Sequence, residues 1–411
     1  MASVPELTER FFRRESVKMV AALTRIFGVH NLAIVEDVVQ DAFARALEVW
    51  KARGIPENPA AWLMTAAKNR AIDRIRRERT ARMFAPELSW LAPKVDEAFD
   101  ERTIREEQVK MMFSCCHPSL AEEAQLALIL NILCAFSPNE IANAFLTGRP
   151  AIEKRISRAK HTLARAKRLF DLGDAEFASR LSTVQRALYL LFNEGYHGAS
   201  AVRAELCAEA MRLTALLRQH PLAATPATAA LAALMALHAA RLPTRVDATG
   251  DLSSLVDQDR SQWDTALTAE GLALLESSAR GDEVTSYHIE AAIAAVHASA
   301  RTLDETDWPK IVSLYDRLFD LAPSPTVALN RAIAIGERDG PSRGLEALGA
   351  IADVDRLSPY PFYPAAMGEF ARRLGAYDAA RAHFHAAISR ARNAAERRFL
   401  QKRLSSIDVR L

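Results

Sequence analysis

Apolar residues recur at helical spacing along almost the whole of this 411-residue chain. The stretch AAWLMTAAKNRAIDRIRRERT at residues 60–80 is typical, because its apolar side chains fall within roughly 120° of arc on an α-helix. These side chains are Leu63, Met64, Ala67, Ala71 and Ile75. Only 15 glycines occur, whereas Ala, Leu, Arg and Glu are abundant, so helix propensity agrees with the periodicity. The sequence predicts an all-α protein.

The composition is that of a globular chain with several domains. A length of 411 residues suits two or three domains of roughly 100 to 200 residues each. The N-terminal stretch MASVPELTERFFRRES carries charges where a signal peptide needs an apolar segment. The most apolar stretch, 223–242, contains Pro226, His238 and Arg241, which favours a buried helix over a membrane span. Four irregularly spaced cysteines fit a reducing compartment, so we expect a cytoplasmic protein that does not enter the membrane.

The net charge of +2 conceals two strongly basic segments. Residues 51–84 contain nine Lys and Arg against three acids, or +6, and residues 149–170 contain eight against one, or +7. Subtracting both from +2 leaves −11 for the rest of the chain. Two short basic segments on an otherwise acidic chain indicate two separate contacts with a polyanion, most simply nucleic acid.

Breaks in the helical pattern divide the chain into five parts. The pattern over residues 1–84 predicts a bundle of about three helices. The composition of residues 85–102, with two prolines, predicts an acidic linker. The helical pattern resumes over 103–170. The pattern over residues 171–300 predicts a neutral to acidic helical extension, and the pattern over residues 301–411 predicts helical repeats.

The third part has well-marked helix starts. The segments 119–122 and 137–140, SLAE and SPNE, both have capping-box spacing, and Pro138 occupies the first helical position of the second. A short helix, a turn at Gly148 and a longer basic helix over 150–168 follow in order. This order predicts a helix-turn-helix.

The last hundred residues contain two similar stretches. Trp308–Tyr315 and Phe370–Phe384 match pieces of the tetratricopeptide pattern, in which Leu-Gly, an aromatic residue, a small residue and Phe recur through a helix pair of about 34 residues. The second match is better, because it includes Leu374, Gly375 and Tyr377. The alternative is an unrelated helical bundle in which alanines and aromatic side chains interdigitate.

Long motifs in three places carry a family resemblance. VEDVVQDAFARALEVW followed by NPAAWLMTAAKNRAIDRIRRERT resembles region 2 of the extracytoplasmic-function (ECF) sigma-70 family of bacterial RNA polymerase initiation factors, and residues 110–169 resemble its region 4. RALYLLFNEGYHG, DQDRSQWDTAL and DWPKIVSLYDRLFDLAPSPTVALNRAIAI resemble the subgroup with a long tetratricopeptide-containing C-terminal extension. The resemblance covers nearly the whole chain. It implies that 1–84 form sigma region 2 and 103–170 form sigma region 4.

The resemblance implies a surface for core RNA polymerase. In the family, the region 2.2 helix binds the clamp helices of the β′ subunit, and the β flap is the second expected polymerase contact. Acidic side chains opposite a basic clamp would fix orientation and speed encounter, although an ordinary solvated acidic face has the same composition. The matching residues are Glu36, Asp37, Gln40, Asp41 and Phe43.

The resemblance also implies contact with the promoter −10 element through regions 2.3 and 2.4. Basic side chains would hold phosphates, while Trp62 and Asn69 offer a stacking face and an edge-reading group for unpaired bases. Trp62 has an alternative role as a core anchor. The implied −10 residues are Trp62, Lys68, Asn69, Arg70, Asp73, Arg74, Arg76 and Arg77.

Region 4 of the family places a recognition helix in the major groove of the −35 element. The first positions of such a helix reach base edges and later positions hold phosphates. The turn LTGRPAIEK departs from the more apolar turn that is common in the family, so we expect an unusual sequence preference. The implied −35 residues are Arg149, Ala151, Glu153, Lys154, Arg155, Arg158 and Lys160.

Two groups of potential metal ligands lack the spacing of a metal site. The set Cys115, Cys116, His117 and Cys134 has no C-x-x-C or H-x-x-x-H pair. The Glu-x-x-His segment 194–197 lacks the second copy that carboxylate-bridged sites need, and a helix-end turn at its glycine is the simpler reading. No phosphate loop, nucleophile elbow or catalytic carboxylate pair occurs, so we expect no enzyme activity, metal or cofactor.

These observations favour an initiation factor whose two basic modules dock on core RNA polymerase and reach promoter DNA. The alternative is a polymerase-independent DNA-binding regulator with a helical protein-interaction scaffold. For the extension, we expect an intramolecular contact that controls the sigma modules. Tethering would raise its effective concentration to the order of millimolar, and an acidic helical domain could cover the basic faces.

Overall fold

The computed structural model describes residues 9–28, 31–81, 98–145, 147–165, 174–197, 202–247, 251–352 and 354–408. Within these ranges all regular elements are helical, and an isolated antiparallel bridge between Val246 and Leu252 is the one β-type pairing. The prediction of an all-α fold is confirmed. Among the described helices, none combines the length and apolar character that a membrane span requires.

The chain divides into two compact units. The N-terminal unit contains residues 1–190 and 219–223, and the C-terminal unit contains residues 191–218 and 224–411. The first division falls inside a helix, between Leu190 and Leu191.

Eight helices begin in the N-terminal unit among the described residues. They are α1 (Glu9–Phe27), α2 (Leu32–Arg53), α3 (Pro59–Ala81), α4 (Glu101–Cys115), α5 (Glu122–Leu128), α6 (Pro138–Ala144), α7 (Arg149–Arg165) and α8 (Asp174–His197), with a π-helical turn (Ile129–Leu133) after α5. Helix α1 packs on α2, α3 and α4. The core between them includes Leu23, Val35, Trp50, Leu63 and Phe113, all almost fully buried.

The capping predictions have opposite outcomes. At α6, Ser137 accepts from the backbone N–H of Glu140 and the Glu140 carboxylate accepts from the Ser137 N–H, so that capping box is confirmed. The capping box predicted at Ser119 is wrong. Helix α5 begins at Glu122 after Ala121, and the Ser119 hydroxyl lies 2.6 Å from Nδ1 of His117 instead.

The C-terminal unit continues as a series of helices. They are α9 (Ala204–Gln219), α10 (Pro226–Ala239), α11 (Thr265–Ser278), α12 (Ser286–Ser299), α13 (Trp308–Leu321), α14 (Pro325–Asp339), α15 (Pro341–Gly349), α16 (Phe362–Arg373), α17 (Tyr377–Ser389) and α18 (Ala394–Asp408). Helix α10 packs against α11 and α12, and each helix from α12 to α18 packs against the next. Most of α10 is buried, as its apolar sequence predicted.

Glycines allow the closest helix contacts in this unit. A Cβ atom at Gly336 or Gly344 would collide with the ring of Phe370, which is itself buried. Gly375 adopts φ +77° in the turn between α16 and α17, a conformation that favours glycine. The Leu-Gly pair of the repeat pattern therefore lies where a helix ends and the chain must reverse.

Candidate nucleic-acid interface

An open cleft of about 900 Å³ lies between α2 and α3. Its lining brings together residues that the sequence assigned to two different surfaces. Asp41 comes from the predicted polymerase-binding set, and four others come from the predicted −10 set. These four are Trp62, Asn69, Arg70 and Asp73.

Trp62 belongs both to this cleft and to the packing beneath it. Its ring meets that of Trp50 edge to face at 5.5 Å, and Trp50 is buried. Trp62 itself is only partly buried, whereas Leu63, Ala67 and Ala71 on the adjacent stripe are fully buried. One side of the indole therefore anchors the helix pair while the rest faces the cleft.

An ion pair crosses the same cleft. Nε of Arg70 lies 2.8 Å from a carboxylate oxygen of Asp41, and both side chains are exposed. Lys68 and Arg74 are partly buried on the same helix. The helix backbone runs to Ala81, but the side chains of Arg76 and Arg77 lie outside the described residues.

The predicted polymerase-binding residues occupy α2. Asp37, Gln40 and Asp41 are exposed, and Glu36 is partly exposed. Phe43 is partly buried, and its ring packs edge to face on that of Phe12 at 5.7 Å. The polar members of the set are therefore available at the surface, whereas Phe43 also supports the contact between α1 and α2.

Helices α6 and α7 form a short helix, a turn and a longer basic helix, in the order that the sequence predicted. Ile152, Ile156, Ala159 and Leu163 form the buried stripe of α7. Most of the predicted −35 residues are exposed outside that stripe, while Arg155 and Lys160 are partly buried. The exposed ones are Arg149, Ala151, Glu153, Lys154 and Arg158.

Ion pairs divide the charged residues of α7 into two groups. Arg149 pairs with Glu153 at 2.7 Å within the helix, and Arg155 pairs with Glu123 of α5 at 2.8 Å. Lys154 and Arg158, one helical turn apart, have no ion pair among the described residues. They are the two cations of this set that are most directly available to an external anion.

Lys160 makes a contact that the sequence did not predict. Its ammonium forms an ion pair with the carboxylate of Glu36, which belongs to the predicted polymerase-binding set on α2. The pair lies in a second open cleft, of about 570 Å³, between α2 and α7. Gln40 and Glu153 also line this cleft, so the predicted polymerase and −35 surfaces face each other within the N-terminal unit.

Helix α1 makes two further polar contacts with the second half of the unit. Arg13 pairs with Glu140 at the start of α6, and its guanidinium stacks over the ring of Phe136 at 4.3 Å. Although burial acts to raise it, hydrogen bonds from Ser137 and Arg13 hold the pKa of Glu140 below its usual value. Arg25 pairs with the buried carboxylate of Glu107 at 3.0 Å. No sequence signal identified these pairs, because their partners are 127 and 82 residues apart.

The cysteines that we considered as possible metal ligands are buried free thiols. Burial raises the pKa of the Cys115 thiol to about 12, and it also raises the pKa of Cys116. A thiol that stays protonated is a poor nucleophile and a poor metal ligand. Within the described part of the chain, no three His, Cys, Asp or Glu side chains come together as a metal site would require.

The structure corrects the reading of Gly195 as a helix-end turn. Gly195 lies inside α8, which continues to His197. A Cβ atom at Gly195 would come within 2.8 Å of both the backbone nitrogen and the Sγ of Cys207. The glycine is therefore needed for the close approach of α9 to the end of α8.

Comparison with known proteins identifies similarities in two regions of the chain. Residues 11–81, which contain α1, α2 and α3, match sigma-70 region 2, and residues 180–279 match DUF6596, a family of unknown function. The chain is 39% identical over 396 residues to an uncharacterized protein of Rhizobium meliloti (strain 1021), covering 94% of this chain and 92% of the relative. The chain belongs to the same family as that protein, and its first three helices are similar to sigma-70 region 2.

Proposed function

We propose that this protein is a sigma factor that binds core RNA polymerase and directs transcription initiation at promoters. Region 2 takes the −10 element, and α6 with α7 act as a region 4 helix-turn-helix on the −35 element. The C-terminal extension, with tetratricopeptide-like repeats over residues 301–411, regulates the sigma modules. The observation that carries the proposal is the sigma-70 region 2 match over residues 11–81. The sigma-70 family is not a class of enzyme, and the proposal assigns no reaction.

The cleft between α2 and α3 supports the −10 assignment. An indole face, an amide and a guanidinium converge there from Trp62, Asn69 and Arg70. Single-stranded nucleic acid is bound by aromatic stacking together with cationic contacts to phosphate, and this cleft offers both. Lys154 and Arg158 support the −35 assignment in the same way, as exposed cations one turn apart.

The Lys160–Glu36 pair supports a closed resting arrangement of the N-terminal unit. Each partner belongs to a surface that an initiation complex would have to use. We therefore expect region 4 to leave α2 when core polymerase binds. Since exposed and partly exposed ion pairs contribute only about 0–1 kcal/mol, polymerase binding can readily replace this one.

The direct test is transcription in vitro with the purified full chain and core polymerase. We expect run-off transcripts from a subset of genomic promoters that core polymerase alone does not start. Asp37→Lys combined with Gln40→Lys should abolish co-purification with core polymerase, since it reverses the charge of the exposed face of α2. Glu48→Lys, also exposed on α2 but outside the predicted set, is the matched control.

The outcomes separate the two functional classes that the sequence left open. A polymerase-independent regulator would bind a specific DNA site alone, would not co-purify with core polymerase and would start no transcript. That combination would refute the sigma-factor proposal.

A further inference from the structure

The C-terminal unit contains several cationic and imidazole side chains that the sigma function does not explain. His238 comes from the end of α10, Arg241 and Arg245 from the segment after it, and His297 from the end of α12. We name these four residues the arginine–histidine cluster. Three of them lie in the region that matches DUF6596, and all four lie outside sigma-70 region 2.

The two guanidiniums of the cluster are held in place but not neutralised. Arg241 stacks over the Trp263 ring at 5.3 Å and donates from Nε to Gln258 at 3.3 Å, while its two terminal nitrogens have no partner among the described residues. Arg245 stacks over the Tyr196 ring at 5.0 Å, donates from one terminal nitrogen to the carbonyl oxygen of Ser253 at 3.3 Å, and approaches Nδ1 of His197 with the other at 3.5 Å. Neither arginine has a carboxylate partner in the described part of the chain.

Two neighbouring arginines show what a structural role looks like in the same unit. Arg260 donates to the carbonyl oxygens of His297 and Ala300 at 3.0 Å, and to the Thr306 hydroxyl at 3.1 Å. Arg392 is neutralised by Glu396, with the closest contact at 2.5 Å. Arg241 differs from both, because its two terminal nitrogens donate to no described residue, and Arg245 differs in the unpartnered Nε of its side chain.

Buried polar atoms around the cluster also have no hydrogen-bond partner among the described residues. They are Nδ1 of His238, Nδ1 of His297, the Tyr196 hydroxyl, Nε1 of Trp263 and Nε of Arg245. Native proteins leave few buried polar groups unsatisfied, so a concentration of them in one place points to a molecule that normally completes the hydrogen bonds. Most of them are donors or, in the imidazoles, groups able to donate.

The imidazoles add hydrogen-bonding capacity without adding charge. Burial and the nearby guanidiniums of Arg241 and Arg260 lower the pKa of His297 to about 3. Burial, with Arg241 among the contributing charges, also places the pKa of His238 well below its usual value. Both rings are therefore neutral at physiological pH, and each has one N–H donor and one acceptor.

Each residue of the arginine–histidine cluster is partly buried, so none is sealed completely in the core. The nearby carboxylate of Glu194 has an oxygen without a partner among the described residues, and burial raises its pKa.

We propose that the arginine–histidine cluster binds a small ligand that carries an oxyanion, either a carboxylate or a phosphate. The guanidiniums of Arg241 and Arg245 take the oxyanion, and the imidazoles of His238 and His297 hydrogen-bond its neighbouring polar atoms. Arginine suits this role because its planar fork matches both oxyanions. The inference goes beyond the proposed sigma function and makes the C-terminal unit a receptor for an anionic effector.

Thermal unfolding of the full chain in citrate or inorganic phosphate tests the proposal. Chloride at matched ionic strength separates specific binding from screening. We expect a saturable response to one of the two anions, with a rise in Tm of about 5–10 °C at roughly a hundred times Kd. A response to citrate alone identifies a carboxylate ligand, and a response to phosphate alone identifies a phosphate ligand.

Arg241→Gln should abolish the response while leaving the Tm without added anion unchanged or higher, because it removes an unneutralised, partly buried charge. Arg317→Gln, at an exposed arginine of the same unit, is the matched control and should respond like the natural chain. Arg245→Gln provides a second test if Arg241→Gln does not fold. The proposal fails if neither anion exceeds chloride, or if both cluster variants respond normally. No polymerase or DNA enters this assay, so its result is independent of the sigma assignment.

Discussion

Trp62 is the residue at which packing and the proposed nucleic-acid binding compete most directly. Its indole ring meets Trp50 edge to face and also faces the cleft that holds Asn69 and Arg70. The sequence left core anchor and stacking platform as alternatives. The geometry is compatible with both roles in one side chain, because the ring is only partly buried.

Trp62→Leu should separate these roles. Leucine retains apolar volume but not the ring pair with Trp50. We therefore expect the free energy of unfolding to fall by about 0.5–1.5 kcal/mol. Loss of the stacking face should cost about 1–3 kcal/mol of binding free energy per base. The equilibrium constant for promoter melting should then fall roughly 5- to 150-fold. Urea unfolding and permanganate footprinting measure the two effects. Trp50→Leu is the packing control, and a Trp62→Leu chain with reduced stability but normal melting would assign Trp62 to the core alone.

His297 gives the C-terminal unit a predictable sensitivity to acid. Its folded pKa of about 3 lies below the usual value of 6.5, so the unfolded chain binds more protons between these values. Stability therefore falls as the pH drops below about 6.5, by up to about 1.4 kcal/mol per pH unit from this residue. Urea midpoints at pH 7, 6 and 5 should decline less steeply in His297→Gln. An equal slope in His297→Gln and in the exposed control His385→Gln would contradict the prediction.

Residue-scale prediction from the sequence succeeded where periodicity alone decides the environment. Leu63, Ala67 and Ala71 are buried as their helical spacing indicated. The same reasoning could not anticipate that Arg70 reaches Asp41, because that pairing depends on how α2 and α3 pack. The arginine–histidine cluster was missed for a similar reason, since its members come from separate elements and form no motif.

Helix α7 illustrates how one element can serve two partners. Its Lys154 and Arg158 face outward, whereas its Lys160 reaches Glu36 on α2. A helix that presents cations on more than one face can be retained by an acidic neighbour in one state and by a polyanion in another.

Lys160→Ala should therefore raise the affinity of the free protein for core polymerase. Removing the pair releases Glu36, and the gain should be about 1.5- to 5-fold, since such pairs are worth about 0.2–1 kcal/mol. Binding is best measured without DNA, because Lys160 is itself in the predicted −35 set. Lys154→Ala on the same helix is the control, and an equal effect of both substitutions would show that the pair does not restrain α2.

Local signals predicted helix starts only where tertiary structure agreed with them. The box at Ser137 formed because Pro138 and Glu140 complete it within one turn. At Ser119 the hydroxyl found His117 instead, and the helix began three residues later. The sequence predicted the position of the long basic helix α7. It did not predict which other helices the charged side chains of α7 contact.

On the scale of the whole molecule, the boundary between the two units determines where the chain should end when the C-terminal extension is deleted. A chain that ends at residue 174 loses Phe177, whose ring stacks on Phe113 at 3.7 Å in the core of the N-terminal unit. A chain that ends at Leu190 keeps this contact. The sequence suggested a boundary near residue 171, because the composition turns from basic to neutral or acidic there. The limits of a compact unit depend on tertiary contacts, which composition does not reveal.

We therefore expect the 1–190 chain to be soluble and more resistant to urea than the 1–174 chain, by about 3–5 kcal/mol for the loss of a buried Phe. Transcription by the 1–190 chain then tests regulation by the extension, without damage to the sigma modules. Unchanged promoter output would remove the proposed regulatory role. Equal stability of the two truncated chains would contradict the placement of Phe177 in the core.

The buried cysteines provide an internal record of unfolding. Cys115, Cys116 and Cys134 belong to the N-terminal unit, and Cys207 belongs to the C-terminal unit. Because burial raises the pKa of Cys115 and Cys207 to about 12, maleimide should modify the native chain very slowly. When a unit opens, its own thiols gain a mass label that peptide mapping assigns to that unit. The native sequence therefore reports which unit opens first under heat, urea or ligand, without an added dye or engineered probe.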